Sequence, residues 1–341
     1  MLASAVLYSD INAILLNTLY FVMQRFKMPQ DLSSFIIKKP LWQQVNHSLL
    51  LKSQTELWLC SLATEPKQLA GNKWLKLKYH LARVFTENKQ GIVTFGGPFS
   101  NHIAAVAAAC AQLNLTSLTY LRADRLDYNN PTIKLCLQQG MQFKLLNRAD
   151  YRLRNTMAFC QQIKNNHPCL LLVPEGGSSV DGVKGVAELN LTATPNGDAD
   201  LISLATASGG TLAGVITANK SNILGMAVVK DPTLPNRVKQ LLPLDYNALS
   251  WAINSAFTDA GYAKFSPELL AFCQEMTASN IYVEPIYSGK ALFGLFKLIE
   301  QGKLSQYKRI SFFHTGGLQG LDGLLYRNLI NSADHKLLTG N

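Results

Sequence analysis

Three short segments contain the side chains best suited to chemistry, and each lies where the hydrophobic pattern changes. Residues 71–73 (GNK) precede an amphipathic stretch of helical spacing, while residues 100–102 (SNH) and 206–211 (TASGGT) each follow an apolar run. A lysine such as Lys73 attacks a carbonyl group only when its amine is neutral, which a desolvated pocket promotes. Glycines and hydroxyls at a helix start can bind phosphate. These are the residue types that a nucleophilic lysine and an anion site require.

Each of these segments also has a purely structural interpretation. A single lysine is usually a surface charge, and residues 206–211 could form an ordinary strand-to-helix turn. Ser100 and Asn101 are favoured helix N-caps, a role compatible with ligand contact, and His102 could be structural. The helix after Gly71 is predicted to place its cationic residues on a solvated face, and these are Lys76, Lys78 and Arg83. No G-x-S-x-G motif or Asp–His pairing indicates a serine hydrolase.

Apolar runs alternate with helical stretches along most of the chain. Strands are predicted at 91–95, 115–121, 141–146, 170–173, 201–205, 223–229, 281–286 and 309–313. Helices are predicted at 103–113, 131–139 and 291–300. A further helix is predicted to begin at Leu212, and another to end at about Tyr326. Continuous apolar strands alternating with helices predict an α/β protein with parallel sheets flanked by helices, in two domains. Ligands in such folds bind at the carboxyl ends of the strands.

Composition excludes several classes of protein. The 341 residues are 48% hydrophobic, which excludes disorder of the whole chain. The net charge is +10, but the basic residues are scattered, so no nucleic-acid partner is predicted. The six cysteines show no C-x-x-C spacing and no neighbouring histidine at ligand spacing, so we expect a reducing compartment and no metal.

The N-terminal segment 1–27 is predicted to be an extension of unknown role. Asp10 is the one charged residue among residues 1–24, so the basic start of a signal peptide is missing. The apolar stretch 11–23 is interrupted by polar residues and is short for a membrane span. A docking helix and a non-native extension before Met28 both remain open. We expect a soluble, cytoplasmic protein without a membrane partner.

Six motifs, taken in order, resemble those of a known enzyme family. They are Gly71-Asn72-Lys73, Ser100-Asn101-His102, Glu175-Gly176-Gly177-Ser178, residues 206–211, Tyr287-Ser288-Gly289-Lys290 and His314-Thr315-Gly316-Gly317. Over residues 70–325 the chain resembles the fold-type-II pyridoxal-phosphate (PLP) enzymes. The Ser-Asn-His motif is typical of the branch of D-cysteine desulfhydrase and 1-aminocyclopropane-1-carboxylate (ACC) deaminase, because other members carry Ser-Gly-Asn there.

The resemblance implies a PLP cofactor and a role for each matching residue. Lys73 would form a Schiff base with the cofactor and move a proton at the substrate α-carbon. Asn101 would bind the phenolic oxygen of the cofactor, and Ser288 would face its pyridine nitrogen. The phosphate would be held by Ala207, Ser208, Gly209, Gly210 and Thr211. Catalysis would involve Lys73, Ser100 and Tyr287, and the substrate would meet Ser100, Asn101, His102, Tyr262 and Tyr287.

The resemblance also implies a two-domain architecture like that of the tryptophan synthase β subunit. The large PLP-binding domain would comprise residues 28–75 and 186–341, the small α/β domain residues 76–185, and the active site the cleft between them. A homodimer is expected from the same resemblance.

The predicted activity is that of a lyase and deaminase of amino acid metabolism. β-Elimination from a small amino acid, such as D-cysteine, would release the β-substituent and give an α-keto acid and ammonia. In the family's ACC deaminase a glutamate matches Ser288, so a hydroxyl here argues against ring opening. Two alternatives remain, an ACC deaminase and a non-catalytic PLP-binding protein.

Overall fold

The computed structural model describes Leu32, residues 35–258 and residues 263–340. The predictions for segment 1–27 and for Tyr262 lie outside these residues. Within them the strands are β1 (Ile36–Ile37), β2 (Leu41–Gln44), β3 (Glu56–Ser61), β4 (Thr64–Glu65), β5 (Gly91–Gly96), β6 (Thr116–Arg122), β7 (Gln142–Leu146), β8 (Leu170–Leu172), β9 (Ala193–Thr194), β10 (Gly197–Asp198), β11 (Leu201–Thr206), β12 (Asn222–Ala227), β13 (Trp251–Asn254) and β14 (Arg309–Phe313).

The α-helices of the described residues separate most of these strands. They are α1 (Ser48–Lys52), α2 (Asn72–Thr86), α3 (Asn101–Gln112), α4 (Pro131–Gln138), α5 (Arg148–Arg152), α6 (Met157–Asn166), α7 (Val180–Val186), α8 (Gly210–Ala218), α9 (Leu234–Leu241), α10 (Pro267–Thr277), α11 (Ser288–Glu300), α12 (Gly320–Tyr326) and α13 (Ser332–Thr339). None of the helices in the described ranges is long and apolar enough to cross a bilayer.

Two sheets organise the described residues. The larger has the strand order β13-β12-β11-β14-β3-β2, and its strands are parallel except for the edge pair β2–β3. The smaller has the order β7-β6-β5-β8 and is wholly parallel. Every residue of β5 and of β11 is buried, which explains the continuous apolar runs of the sequence. The α/β prediction is therefore confirmed.

The chain enters the smaller sheet once and then returns to the larger one. All strands of the smaller sheet lie between Gly91 and Leu172, whereas the larger sheet takes strands from both sides of this segment. The domain boundaries at 75/76 and 185/186 stay a prediction. The carboxyl ends of β5 and β11 lead directly into the segments that carry Ser100 and Ser208.

One predicted strand does not form, and others were missed. Residues 281–286 pair with no strand of the described sheets, because Pro285 has no N–H and the N–H of Ile286 donates to the Glu284 carboxylate instead. The strands β2, β3 and β13, which complete the larger sheet, were not predicted. Its mixed edge also differs from the purely parallel sheet that we expected.

Helix α7 packs against both α2 and α8 and so joins the segments that carry Lys73 and Thr211. Glycine permits this approach, since a Cβ at Gly185 would lie 1.8 Å from the Leu75 carbonyl oxygen. A Cβ at Gly214 of α8 would lie 2.4 Å from that of Val186. The helices before and after the smaller sheet are therefore held in close contact.

Candidate active site

Lys73 is the second residue of α2, whereas the sequence pattern placed residues 71–73 before the helix. The turn before it requires glycine, because Gly71 has a φ of 66° and a Cβ there would lie 2.3 Å from the Thr315 carbonyl carbon. The Gly71 N–H donates to the Leu62 carbonyl at 2.8 Å, and the Asn72 N–H donates to the Thr315 carbonyl at 3.2 Å. The loop after β14 is thereby fixed beside Lys73.

The Lys73 amine is suited to act as a nucleophile near neutral pH. Burial lowers its pKa to about 8, and the negative charge of Glu284 opposes this shift. The ammonium group donates to the Asn72 Oδ1 atom. A lysine with this pKa has a substantial neutral fraction at physiological pH, which carbonyl chemistry requires.

The expected solvated face of α2 is wrong for two of its three cationic residues. Lys76 and Lys78 are only 3% and 6% exposed, whereas Arg83 is partly exposed and pairs with Asp181 and Glu87. Lys78 pairs with Glu188. The side chains are buried because α2 packs under α7 rather than lying on the surface.

Lys76 lies beside the predicted phosphate loop. Its Nζ atom is 3.1 Å from Ser178 Oγ and 3.4 Å from Ser208 Oγ. Burial, followed by the like charge of Lys73, lowers its pKa to about 7. Neither Lys76 nor Ser178 was assigned a role from the sequence, although Lys76 follows Lys73 by three residues and so shares its side of the helix.

The loop between β11 and α8 forms a compact cradle at the start of a helix. Gly209 has a φ of 91°, and a Cβ at Gly210 would lie 2.8 Å from Ser178 Oγ. Ser178 donates to Ser208 at 2.6 Å, and Asn72 Nδ2 donates to Thr211 Oγ1 at 2.9 Å. Hydroxyls, helix N–H groups and the Lys76 cation form a donor set that fits a phosphate group.

The segment 100–102 begins helix α3 at the end of β5. Ser100 is the N-cap, as predicted, and accepts from the His102 N–H at 3.2 Å. Asn101 is buried, and a Cβ at Gly317 would lie 2.8 Å from its Nδ2 atom. His102 is also buried, with Nε2 2.9 Å from Thr94 Oγ1, and burial beside two lysines keeps its pKa well below the usual value. His102 is therefore a neutral ring tied to β5.

Ser288 and Tyr287 lie at the start of α11, where a carboxylate organises the backbone. The fully buried Ser288 places its Oγ 3.4 Å from both Thr315 Oγ1 and the Gly316 carbonyl. The backbone N–H groups of Ser288 and Tyr287 donate to Glu284, which is itself fully buried. The sequence analysis missed Glu284. Its position four residues before Ser288 was the available signal.

The loop 314–317 links these parts into one site. Its residues Thr315 and Gly316 contact Gly71, the Thr315 hydroxyl contacts that of Ser288, and its Gly317 lies beside Asn101. The phosphate cradle joins the same site through Asn72 and Lys76. Of the predicted site residues, Tyr262 alone lies outside the described part of the chain. In this α/β fold, a buried lysine of lowered pKa therefore lies close to a helix start rich in glycine and hydroxyl groups.

Comparisons with known proteins identify the family. The sequence profile of the pyridoxal-phosphate dependent enzymes matches residues 33–316. The chain belongs to this family, and its cofactor is PLP.

Individual relatives agree with the predicted branch. A bifunctional D-cysteine desulfhydrase/ACC deaminase of Arabidopsis thaliana, described as mitochondrial, is 30% identical over 302 residues, covering 80% of this chain and 74% of that protein. A D-cysteine desulfhydrase of Klebsiella pneumoniae is 27% identical, covering 76% and 85% respectively. The crystal structure of an ACC deaminase homologue superposes with a TM-score of 0.68 at 21% identity, covering 86% and 93%, and confirms the fold-type-II architecture.

Proposed function

We propose that the chain catalyses β-elimination on a small amino acid, with D-cysteine as the leading substrate. The products from D-cysteine and water are a three-carbon α-keto acid, hydrogen sulfide and ammonia. The observation that carries this proposal is Ser288, a buried hydroxyl at the position where the resemblance places a glutamate in ACC deaminase. The names of the two desulfhydrase relatives support the same substrate class.

Lys73 is the residue proposed to bind the cofactor covalently and to move the proton at the substrate α-carbon. Its pKa of about 8 supports both roles, because the amine accepts a proton readily once it is neutral. The cofactor, when bound, supplies the electron sink for breaking bonds at that carbon.

The phosphate is proposed to bind between α2 and α8. Lys76 provides the positive charge, and the hydroxyl donors come from Ser178, Ser208 and Thr211. Ala207, Gly209 and Gly210 supply the backbone of the cradle, whose N–H groups at the start of α8 face an anion favourably.

The substrate is proposed to bind near the start of α3. Ser100 and Asn101 have the polarity to bind its carboxylate and the phenolic oxygen of the cofactor, respectively. Tyr287 and Tyr262 would line the pocket, while Ser288 would face the pyridine nitrogen without carrying a charge. For His102, the bond to Thr94 favours an indirect role, in which the ring orients the first turn of α3.

ACC deaminase is the second candidate, because the Arabidopsis relative is named for both activities. A panel of D- and L-amino acids together with ACC separates the two, with keto acid, sulfide and ammonia measured. We expect D-cysteine to give the highest rate. Equal or faster release of a four-carbon keto acid from ACC would contradict the assignment.

Controls for this panel come from the lysines of the same chain. Lys73→Ala should abolish keto-acid release, whereas Lys134→Ala, at an exposed position on α4, should retain it. Bound cofactor without keto acid from any amino acid would favour the non-catalytic PLP-binding protein instead.

We also infer a homodimer, on the basis of the family resemblance, and a cytoplasmic location, because the cysteine spacing favours a reducing compartment. Light scattering of the purified protein measures the oligomeric state, and fractionation of the source cells measures the location. A monomer would contradict the first inference, and recovery from an organelle the second.

A further inference from the structure

A cavity of about 420 Å³ lies beside the segment that leads into Ser100. Its apolar wall includes Phe99, Leu121 near the end of β6 and Ile133 of α4. The volume is at the lower end of the range for small-molecule sites in proteins, about 300–1,000 Å³. Neither Lys73 nor Ser100 lines the cavity, so it is not the proposed substrate position.

A buried amide with an unused donor lines this cavity. Asn130 is only 1% exposed, and its Oδ1 atom caps α4 by accepting the N–H groups of Thr132 and Ile133 at 2.9 and 3.1 Å. Because both partners are donors, the orientation of the amide is fixed. Its Nδ2 atom has no hydrogen-bond acceptor among the residues that the structure describes. A buried donor without an acceptor is unfavourable, so Asn130 indicates a ligand with an acceptor oxygen.

Charged groups of both signs also line the cavity. Arg125 and Asp124 are exposed residues of its wall, and within the described ranges neither forms an ion pair or a side-chain hydrogen bond. Asp127 contributes a second carboxylate. The guanidinium group of Arg125 and the Nδ2 atom of Asn130 are donors suited to a carboxylate, whereas the two aspartates are acceptors suited to an ammonium group.

The cavity lies where the segment before Ser100 meets helix α12. Phe99 packs against this helix, since a Cβ at Gly323 would lie 2.7 Å from its Cδ1 atom, and its ring centroid is 6.4 Å from that of Tyr326. The Tyr326 hydroxyl donates to Asp127 at 2.7 Å. A ligand against the Phe99 ring would therefore contact the residue that directly precedes Ser100.

We propose that this cavity is a second binding site, which takes an α-amino acid with a small apolar side chain. Arg125 and Asn130 bind its carboxylate, Asp124 and Asp127 bind its ammonium group, and the side chain lies against the apolar wall. A ligand with a single charge would leave the groups of the other sign without a partner, so the cavity favours a zwitterion. The proposal does not depend on which reaction the active site catalyses.

The test measures binding of L-leucine by calorimetry to the holoenzyme after borohydride reduction, so that the cofactor no longer reacts with amines. Leucine also has no leaving group on its β-carbon. We expect saturable binding at least about tenfold tighter than that of 4-methylpentanoate, which lacks the ammonium group, or 3-methylbutylamine, which lacks the carboxylate. No saturable binding up to about 10 mM, or equal binding of the three ligands, would overturn the proposal.

Asn130→Asp tests the amide donor, because it removes the Nδ2 atom and keeps an oxygen that caps α4. It should weaken leucine binding at least about tenfold, since a donor to the ligand carboxylate is replaced by a like charge. Asn129→Asp is the matched control, because it makes the same change at an exposed neighbour that does not line the cavity. It should leave the affinity unchanged.

Arg125→Gln covers the case in which Asn130→Asp does not fold, because Arg125 is exposed and caps no helix. It should weaken leucine binding about tenfold and leave binding of 3-methylbutylamine unchanged, since that ligand has no carboxylate. Unchanged leucine affinity in Arg125→Gln, or in a folded Asn130→Asp variant, would overturn the proposal. The amino-acid panel measures keto acid from the unreduced enzyme, so either experiment can fail while the other succeeds.

Discussion

The two ends of the candidate active site stabilise buried charge in opposite ways. At the proposed phosphate end, Lys76 meets hydroxyls, and burial, followed by the like charge of Lys73, lowers its pKa. At the other end, burial raises the pKa of the Glu284 carboxyl to about 7, while backbone N–H donors and the charge of Lys73 oppose that shift. We therefore expect a bound anion to stabilise the first end, whereas the groups that stabilise the Glu284 carboxylate already belong to the protein.

The largest expected effect falls on Lys73, which lies between the two ends. Lys73→Ala should prevent covalent attachment of PLP and lower the elimination rate by more than about a thousandfold, since it removes both nucleophile and base. Borohydride reduction and peptide mapping of the wild type should place the pyridoxyl group on Lys73. Finding the group on another lysine would refute the assignment.

The next largest effect is expected when the cation of the proposed phosphate end is removed. Lys76→Met should weaken binding of pyridoxine 5′-phosphate about ten- to 150-fold, because a hydrogen bond to a charged group contributes about 1.5–3 kcal/mol. This ligand lacks the aldehyde, so Lys73 chemistry does not contribute. Calorimetry measures the affinity. Lys78→Met is the matched control on the same helix, because Lys78 pairs with Glu188.

The pH dependence of the same binding reaction tests whether protonated Lys76 supplies the positive charge. The pKa of Lys76 is about 7 without ligand, and a bound phosphate raises it, so protonated Lys76 favours binding. Affinity should therefore be highest below about pH 7 and fall by up to about tenfold per unit as the pH rises above that value. Lys76→Met should lose this decline. A wild-type affinity that rises over the same range would contradict the assignment.

A smaller effect is expected at the other end from Ser288→Glu. A carboxylate within ~4–6 Å of the pyridine nitrogen favours its protonation by roughly 1–3 pKa units. We expect shifted cofactor absorbance and an elimination rate at least about tenfold lower, beyond any loss of cofactor binding. Rates on D-cysteine and ACC are compared for both proteins. Unchanged absorbance would show that Ser288 does not face the ring.

The smallest effect is expected for Thr211→Ala in the cradle. Loss of one hydroxyl donor to a charged group costs about 1.5 kcal/mol, the lower end of the usual range of about 1.5–3 kcal/mol, or about a tenfold weaker affinity for PLP. Thr211→Ser should keep the wild-type affinity, because serine retains the hydroxyl that also accepts from Asn72 Nδ2. Equal affinity of the alanine and serine variants would place the phosphate elsewhere.

Local signals in the sequence were sufficient for much of the architecture. Apolar runs followed by glycine or hydroxyl residues correctly located β5 and β11, and Ser100 was recognised as an N-cap. These features depend on neighbouring residues, because strand burial, capping and positive φ are local requirements. The α/β class and the segments that carry the candidate site could therefore be predicted.

Burial and partnership were decided only by the tertiary structure. Lys76 has the sequence context of a surface lysine, and α7 buries it beside Ser178, which lies 102 positions away. The residues around Glu284 have the composition of a strand, but Pro285 and the carboxylate redirect the backbone N–H groups into a helix start. A side chain's pKa and contacts depend on which distant segments exclude water from it, and no local pattern contains that information.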